Sequence, residues 1–372
     1  MPPQSLRIAY DARLAIGEYR GMGRFLRQLI AGRECVGLCA SREQDASLHL
    51  IASGVGFYPL WEQFSLPRLL RKLEAAVFLA PYNTAPLRLP RHLKLVLVVH
   101  DLIFMERLPL SRSLYQNAGR LYRRAVVPPA IRRANLVVTV SNDTARRLTS
   151  RFGLNPQQIR VIPNSIDEAW FIDEPCPAPA QQYVLVVTGE APSKNLARAI
   201  HAFARCMQAS ACPAVRLKIA GVRPAFHAGF RDMAQQLGIA GQIDLLGYIP
   251  DVEMRALYRH AALFVMPSLA EGFGIPVLEA MASGTPVAAS SIPSLQEVGG
   301  DAPHYFDPAS VEEMAATMHE ILADPLLGKS MSALGRRQAQ KFHPAQIHAK
   351  IDALWGEMEE MLAASRKGKS KR

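Results

Sequence analysis

Residues 262–290 read ALFVMPSLAEGFGIPVLEAMASGTPVAAS. The apolar run ALFVMPS has the composition of a buried strand, and EGFGIP is the turn that leaves its carboxyl end. Pro276 suits the first helical turn, where its missing N–H costs nothing. Gly284 suits the position just past the helix end, and Pro286 confirms the stop. The spacing predicts a helix over 276–283, followed by a strand in PVAAS. Strand, turn, helix and strand make one βαβ-type unit, and the remainder of the chain repeats its alternation.

Upstream, YVLVVTG, VRLKIAG and QIDLLGYI have the same continuous hydrophobicity, which implies strands covered on both faces of a parallel sheet. Between them NLARAIHAFARCM, FHAGFRDMAQQLG and DVEMRALYRHA place apolar residues at helical spacing. An earlier set, LRIAYDA, AAVFLA, LKLVLVVHD and ANLVVTVS, forms a similar half, with a glycine-bearing loop and a helix over 22–30 after its first strand. Between the halves lies DEPCPAPAQQ, proline-rich and without strand character. The expected organisation is α/β. A first doubly wound domain occupies 1–172, a linker 173–180 and a second domain 181–345, with a cleft between the two. A C-terminal helix over 346–364, expected to cross back to the first domain, precedes a disordered basic tail at 365–372.

The 372 residues, about half of them apolar, suffice for two cores. Five cysteines without a C-x-x-C pair indicate neither a disulfide frame nor a zinc site. The longest apolar run, LKLVLVVHDLIFM, is interrupted by His100 and Asp101 and is too short to span a bilayer, so a soluble, cytoplasmic protein is expected. Of the net charge of +11, the first 170 residues carry 24 Lys and Arg against 12 Asp and Glu, and the remainder 19 against 20. The density is greatest at Arg112, Arg120, Arg123, Arg124, Arg132 and Arg133. Such a patch suits an anionic partner and reads equally as a solvated helical face. Nucleic acid fits poorly, because no recognition motif or interleaved aromatics accompany the charge.

Glu271 and Glu279 flank the turn that opens the quoted helix. Gly272 and Gly274 leave backbone N–H groups uncovered at a positive helix end, which favours an anion. Carboxylates beside an anion site fit a ligand that also presents hydroxyls, because an ionised carboxylate is a strong acceptor from O–H. Phosphate with hydroxyls at both ends describes a nucleotide sugar. A loop charge and a solvated helix residue would leave the same two letters.

EGFGIPVLE is an E-x7-E motif, and with GMGRF, VVHDLIF, LVVTVSNDT, IRVIPNSID, APSKNLARAIHAFA and LLGYIPD it resembles the retaining nucleotide-sugar glycosyltransferases of family GT4, which have the GT-B fold. The resemblance covers most of the chain, in order. It implies that Glu271 holds hydroxyls of the donor sugar and Glu279 the ribose hydroxyls, while the backbone at Gly272, Phe273, Gly274 and Ile275 meets sugar and diphosphate. It sets Gly21 and Gly23 beside the diphosphate and acceptor, His100 at the donor sugar with Asp101 orienting its loop, and Ser141 on the acceptor side. Lys194 would neutralise the departing diphosphate. The family often has a basic pair at this turn. Here Ser193 precedes Lys194 and Gly189 stands earlier, so one phosphate contact lacks its usual residue.

No D-x-D occurs, so a metal is not indicated and no cofactor is implied. The style of the motifs is most like bacterial mannosyltransferases of polysaccharide assembly. It implies GDP-mannose as first donor, with UDP- or dTDP-sugars as alternatives, and a glycan or lipid-linked acceptor. The basic first domain would dock on the anionic inner face of the cell membrane. Two other classes are open: a GT-B sugar-nucleotide epimerase, which would turn over donor without acceptor, and a non-catalytic nucleotide-sugar-binding subunit.

Overall fold

The structure, a computed structural model, describes residues 7–17, 21–40, 45–109, 111, 113–172, 181–209 and 214–369. The expected linker at 173–180, together with Arg112, Cys176 and Cys212, lies outside them. The chain forms two units, one of residues up to Glu106, Ser113–Asn164 and Ile347 onward, the other of Arg107–Arg112 and Ser165–Gln346.

The first unit is a seven-stranded parallel sheet in the order β3-β2-β1-β4-β5-β6-β7. Its strands are β1 (Ile8–Asp11), β2 (Val36–Cys39), β3 (Leu50–Ala52), β4 (Val77–Ala80), β5 (Lys94–Val99), β6 (Leu136–Thr139) and β7 (Ile159–Val161). Helix α1 (Gly21–Ile30) follows β1, and α2 (Tyr58–Leu60) continues through one π-helical turn, Trp61–Ser65, into α3 (Leu66–Lys72). Helices α4 (Leu114–Arg133) and α5 (Asn142–Phe152) complete the crossovers. The central strands are buried on both faces, as their Val- and Leu-rich runs require, and Leu97, Val99, Leu70 and Ile131 are among the side chains that close the core.

The second unit has six parallel strands in the order β10-β9-β8-β11-β12-β13. These are β8 (Tyr183–Val187), β9 (Arg216–Ala220), β10 (Ile243–Gly247), β11 (Leu263–Met266), β12 (Val287–Ser290) and β13 (His304–Phe306). Its helices are α6 (Leu196–Gln208), α7 (His227–Gln236), α8 (Asp251–Arg259), α9 (Ile275–Ala282), α10 (Pro293–Gly299), α11 (Val311–Ala323) and α12 (Pro325–Ala339). The helix of the quoted stretch is α9, with Gly274 as N-cap at φ 115° and Gly284 past its end at φ 77°. Residues 165–172 belong to this unit because Trp170 packs edge-on against Tyr258, ring centroids 5.5 Å apart.

The last helix, α13 (Pro344–Lys369), joins the first unit from Ile347 on. Trp355 Nε1 donates to Leu29 O at 2.6 Å, Arg160 grips Glu357 with two bonds of 2.6 and 2.8 Å, and Arg33 pairs with Asp352. The helix continues through residues 365–369 of the expected tail. No helix among the described residues is long and apolar enough to cross a membrane.

Candidate functional site

In each sheet the strand order reverses once, and the loops at the carboxyl ends of the two flanking strands frame a crevice. In the second unit the reversal falls between β8 and β11. The loop after β8 carries Lys194, and the turn after β11 carries Glu271. Their side chains meet, with Lys194 Nζ 2.6 Å from Glu271 Oε1. Glu271 is the more enclosed partner, its side chain 10% exposed against 30% for the lysine.

Two contacts hold the two loops together, and a third ties the first of them to the segment past β13. Asn195 adopts a left-handed φ of 58° and donates through Nδ2 to Pro267 O (2.9 Å) and Pro308 O (2.8 Å). The Leu269 N–H donates to Ser193 O at 2.7 Å. Asparagine tolerates the left-handed region better than most residues, and here its amide clamps the end of β11. Ser193, where the family often has a second base, is buried.

The turn 271–275 then delivers backbone to the start of α9. Phe273 is buried and packs edge-on against Phe342 at 5.6 Å, so its side chain anchors the turn. Gly274 lies so close to α10 that a Cβ would come 2.5 Å from Leu295 Cδ2. Ile275 opens the helix. One turn on, Glu279 is 8% exposed and accepts a hydrogen bond from Tyr258 Oη at 3.0 Å. It is therefore an enclosed carboxylate, held by a fully buried tyrosine of α8.

In the first unit the reversal falls between β1 and β4. Gly21 is the first residue of α1 and Gly23 is buried in its first turn; the preceding residues 18–20 are outside the described set. His100, just past β5, is buried and its ring meets Phe25 of α1 edge-on at 5.2 Å. Its Nε2 lies 2.9 Å from Pro81 O. A carbonyl can only accept, so Nε2 carries the proton and a neutral ring offers Nδ1 as acceptor. Burial lowers the histidine pKa, against an opposing pull from the Pro81 carbonyl and Asp101, so the neutral form is favoured. The His100 N–H donates to Asn83 Oδ1 at 2.6 Å.

Asp101 Oδ1 accepts the Ile103 N–H at 2.9 Å, which shapes its own loop. Ser141 Oγ caps α5, accepting the Thr144 N–H at 3.2 Å and lying 3.0 Å from Thr144 Oγ1. The sequence reading passes over a buried polar group beside this site. Glu62, on the π-helical turn, is 1% exposed and accepts from Tyr58, Tyr122 and Thr84 Oγ1, the last at 2.5 Å. Asp11, at the end of β1, lies 3.4 Å from Arg13 Nε. Burial, set against the arginine, raises its pKa from 3.8 to about 6. Lys194 and Glu271 are thus joined within the second unit, and His100 is bound to α1 within the first.

Residues 43–170 match the family model described as Glycosyltransferase Family 4, and residues 170–340 that described as Glycosyl transferases group 1. The chain is similar to the MMP alpha-(1->4)-mannosyltransferase of Mycolicibacterium hassiacum, 29% identical over 207 residues, 55% of this chain and 49% of that protein. It is also similar to the O-antigen chain mannosyltransferase RfbU of Salmonella typhimurium, 30% identical over 189 residues, 51% of each. The matches span about half the length of these curated relatives. Among solved structures, sucrose-phosphate synthase from Thermosynechococcus elongatus superposes with a TM-score of 0.73 at 18% identity, over 96% of this chain and 99% of that one. With two consecutive glycosyltransferase domains on two doubly wound units, the chain belongs to the GT4 glycosyltransferases of the GT-B fold.

Proposed function

We propose that the protein is a retaining, metal-independent hexosyltransferase that moves mannose from GDP-mannose to a glycan or lipid-linked acceptor in bacterial polysaccharide assembly. It would work from the cytoplasm at the inner membrane face. The observation that carries the reading is the Lys194–Glu271 contact of 2.6 Å at the strand reversal, beside the backbone that opens α9. A carboxylate offers about four lone-pair directions, so Glu271 can hold an ammonium and still accept from sugar hydroxyls. Lys194 has the charge a diphosphate needs as it leaves, and the N–H groups at Gly272–Ile275 supply a second source of positive potential. That pair stands in for metal assistance in our reading, in keeping with the lack of a D-x-D motif. Glu279, oriented by Tyr258, is assigned the ribose hydroxyls. His100 accepts a donor-sugar hydroxyl at Nδ1, and Gly21 and Gly23 lie along the donor and acceptor. Mannose is favoured by the names of the relatives rather than by any one side chain.

The test is a thermal-shift panel of GDP-, UDP-, dTDP- and ADP-sugars without metal, repeated on Glu279→Ala. A ligand that binds the folded state raises the midpoint by mass action. Stabilisation by a GDP-sugar, lost in the variant, is the expected result. No shift with any nucleotide at saturating concentration would defeat the donor-site reading.

A further inference from the structure

The loop after β4 faces two ways. Pro81 O and Asn83 Oδ1 hold the ring and the backbone of His100. Tyr82 and Thr84, the alternate residues, meet a second group of polar side chains in the first unit. Arg13, two residues past β1, stands at the centre of that group. Its Cζ lies 3.1 Å from the centroid of the Tyr58 ring and 5.1 Å from that of the Tyr82 ring. The Tyr58 hydroxyl is fixed in turn: it bonds Glu62 and lies 2.6 Å from Thr84 Oγ1, so the platform beneath the guanidinium is held in place.

Arg13 is stacked but hardly bonded. Its Nε is buried without a hydrogen-bond partner, and among the described residues neither Nη group has one. Asp11 Oδ2, 3.4 Å from Nε, supplies a counter-charge. The arginine side chain is 24% exposed. A guanidinium carries five N–H donors in one rigid plane, and a largely enclosed one with those donors unused is an unfilled recognition element at the strand reversal.

We infer that Arg13 binds the sugar that receives the transferred hexose, its Nη groups donating to neighbouring oxygens of a neutral pyranose. The inference rests on the proposed transferase activity and names the chemistry of the acceptor end. Two observations favour a neutral sugar over a phosphate. Asp11 and Glu62 accompany the one arginine, so the cluster has no positive charge left over for an anion. The loop 81–84 also ties the arginine to His100, which is assigned to the donor sugar, and so sets the two sugars as neighbours.

The experiment is saturation-transfer NMR of the full chain with the methyl α-glycosides of mannose, glucose, galactose and N-acetylglucosamine, with inorganic phosphate as the control anion. At least one glycoside should bind the wild type, resist displacement by phosphate, and bind Arg13→Gln about tenfold or more weakly. Should Arg13→Gln not fold, Arg13→Lys keeps the charge beside Asp11 and loses the planar fork, and the same weakening is expected. Absence of wild-type binding by all four glycosides, equal binding by the variant, or displacement by phosphate overturns the inference. So does binding that Glu271→Gln abolishes and Arg13→Gln leaves intact, which would put the sugar in the crevice of the second unit. The thermal shift induced by GDP separates the two readings. A wild type that GDP stabilises and no glycoside binds loses only this inference; one with Arg13-dependent glycoside binding and no GDP shift loses only the donor reading.

Discussion

Tyr258→Phe removes a single hydroxyl from the second unit and leaves the ring in place. The ring is fully buried, 5.5 Å from Trp170 and 5.2 Å from Phe264, so no cavity forms. What is lost is the bond to the enclosed carboxylate of Glu279 at 3.0 Å. A hydrogen bond to a charged group contributes about 1.5–3 kcal/mol, and the carboxylate stays buried when its donor is gone. The expected destabilisation is about 2 kcal/mol, or a midpoint shift of roughly 4–8 °C for a unit of this size. Urea unfolding measures the first quantity and calorimetry the second. If Glu279 holds ribose, its orientation also sets the preference for GDP over 2′-deoxy-GDP, expected at about tenfold in the wild type and mostly lost in the variant. Unchanged stability would refute the energetic argument. Lost stability with an intact ribose preference would refute the role given to Glu279.

Gly274→Ala forces a side chain onto a φ of 115° and against Leu295, so it should cost about 2 kcal/mol or more in urea unfolding; a neutral effect would deny that this approach is tight. Lys194→Met should lower kcat by about a hundredfold or more in a transfer assay. Because the ion pair is partly exposed, its stability change should stay below about 1 kcal/mol, and an equal loss of both would make the lysine structural. Asp11 has a raised pKa, so its stabilisation is full below pH 3.8 and is lost as pH rises through about 6. Relative to Asp11→Asn, the wild type should lose about 3 kcal/mol across that window, and a constant difference in urea titrations at several pH values would contradict it.

The strands that the sequence displays are those covered on both faces. β5 and β8 read as runs of Val and Leu because nothing polar can face a helix layer on either side. β3, β7 and β13 are three-residue strands, too short for any period to emerge. The α9 boundaries are legible because Pro276 and Gly284 act locally, through dihedral preference. The partners of the site are a different matter. Tyr258 stands 21 residues from Glu279, and Lys194 stands 77 from Glu271. Such pairs are created by strand order, which no local pattern encodes. Ser141 shows the converse: its S-x-x-T spacing to Thr144 is a local cap signal that was open to a sequence reader. The boundary near 165 follows from Trp170, whose packing partner lies on α8.

Helix α13 brings a further consequence, in the order of folding during synthesis. Trp355 bonds a carbonyl 326 positions earlier, at the end of α1. The first unit is begun first and finished last, while Ser165–Gln346 of the second can fold as one stretch in between. Until the ribosome has released the final helix, the groove that takes Trp355, Leu354 and Met358 stays apolar and open on the nascent chain. A stop codon before residue 347 would therefore leave the second unit whole and the first unfinished.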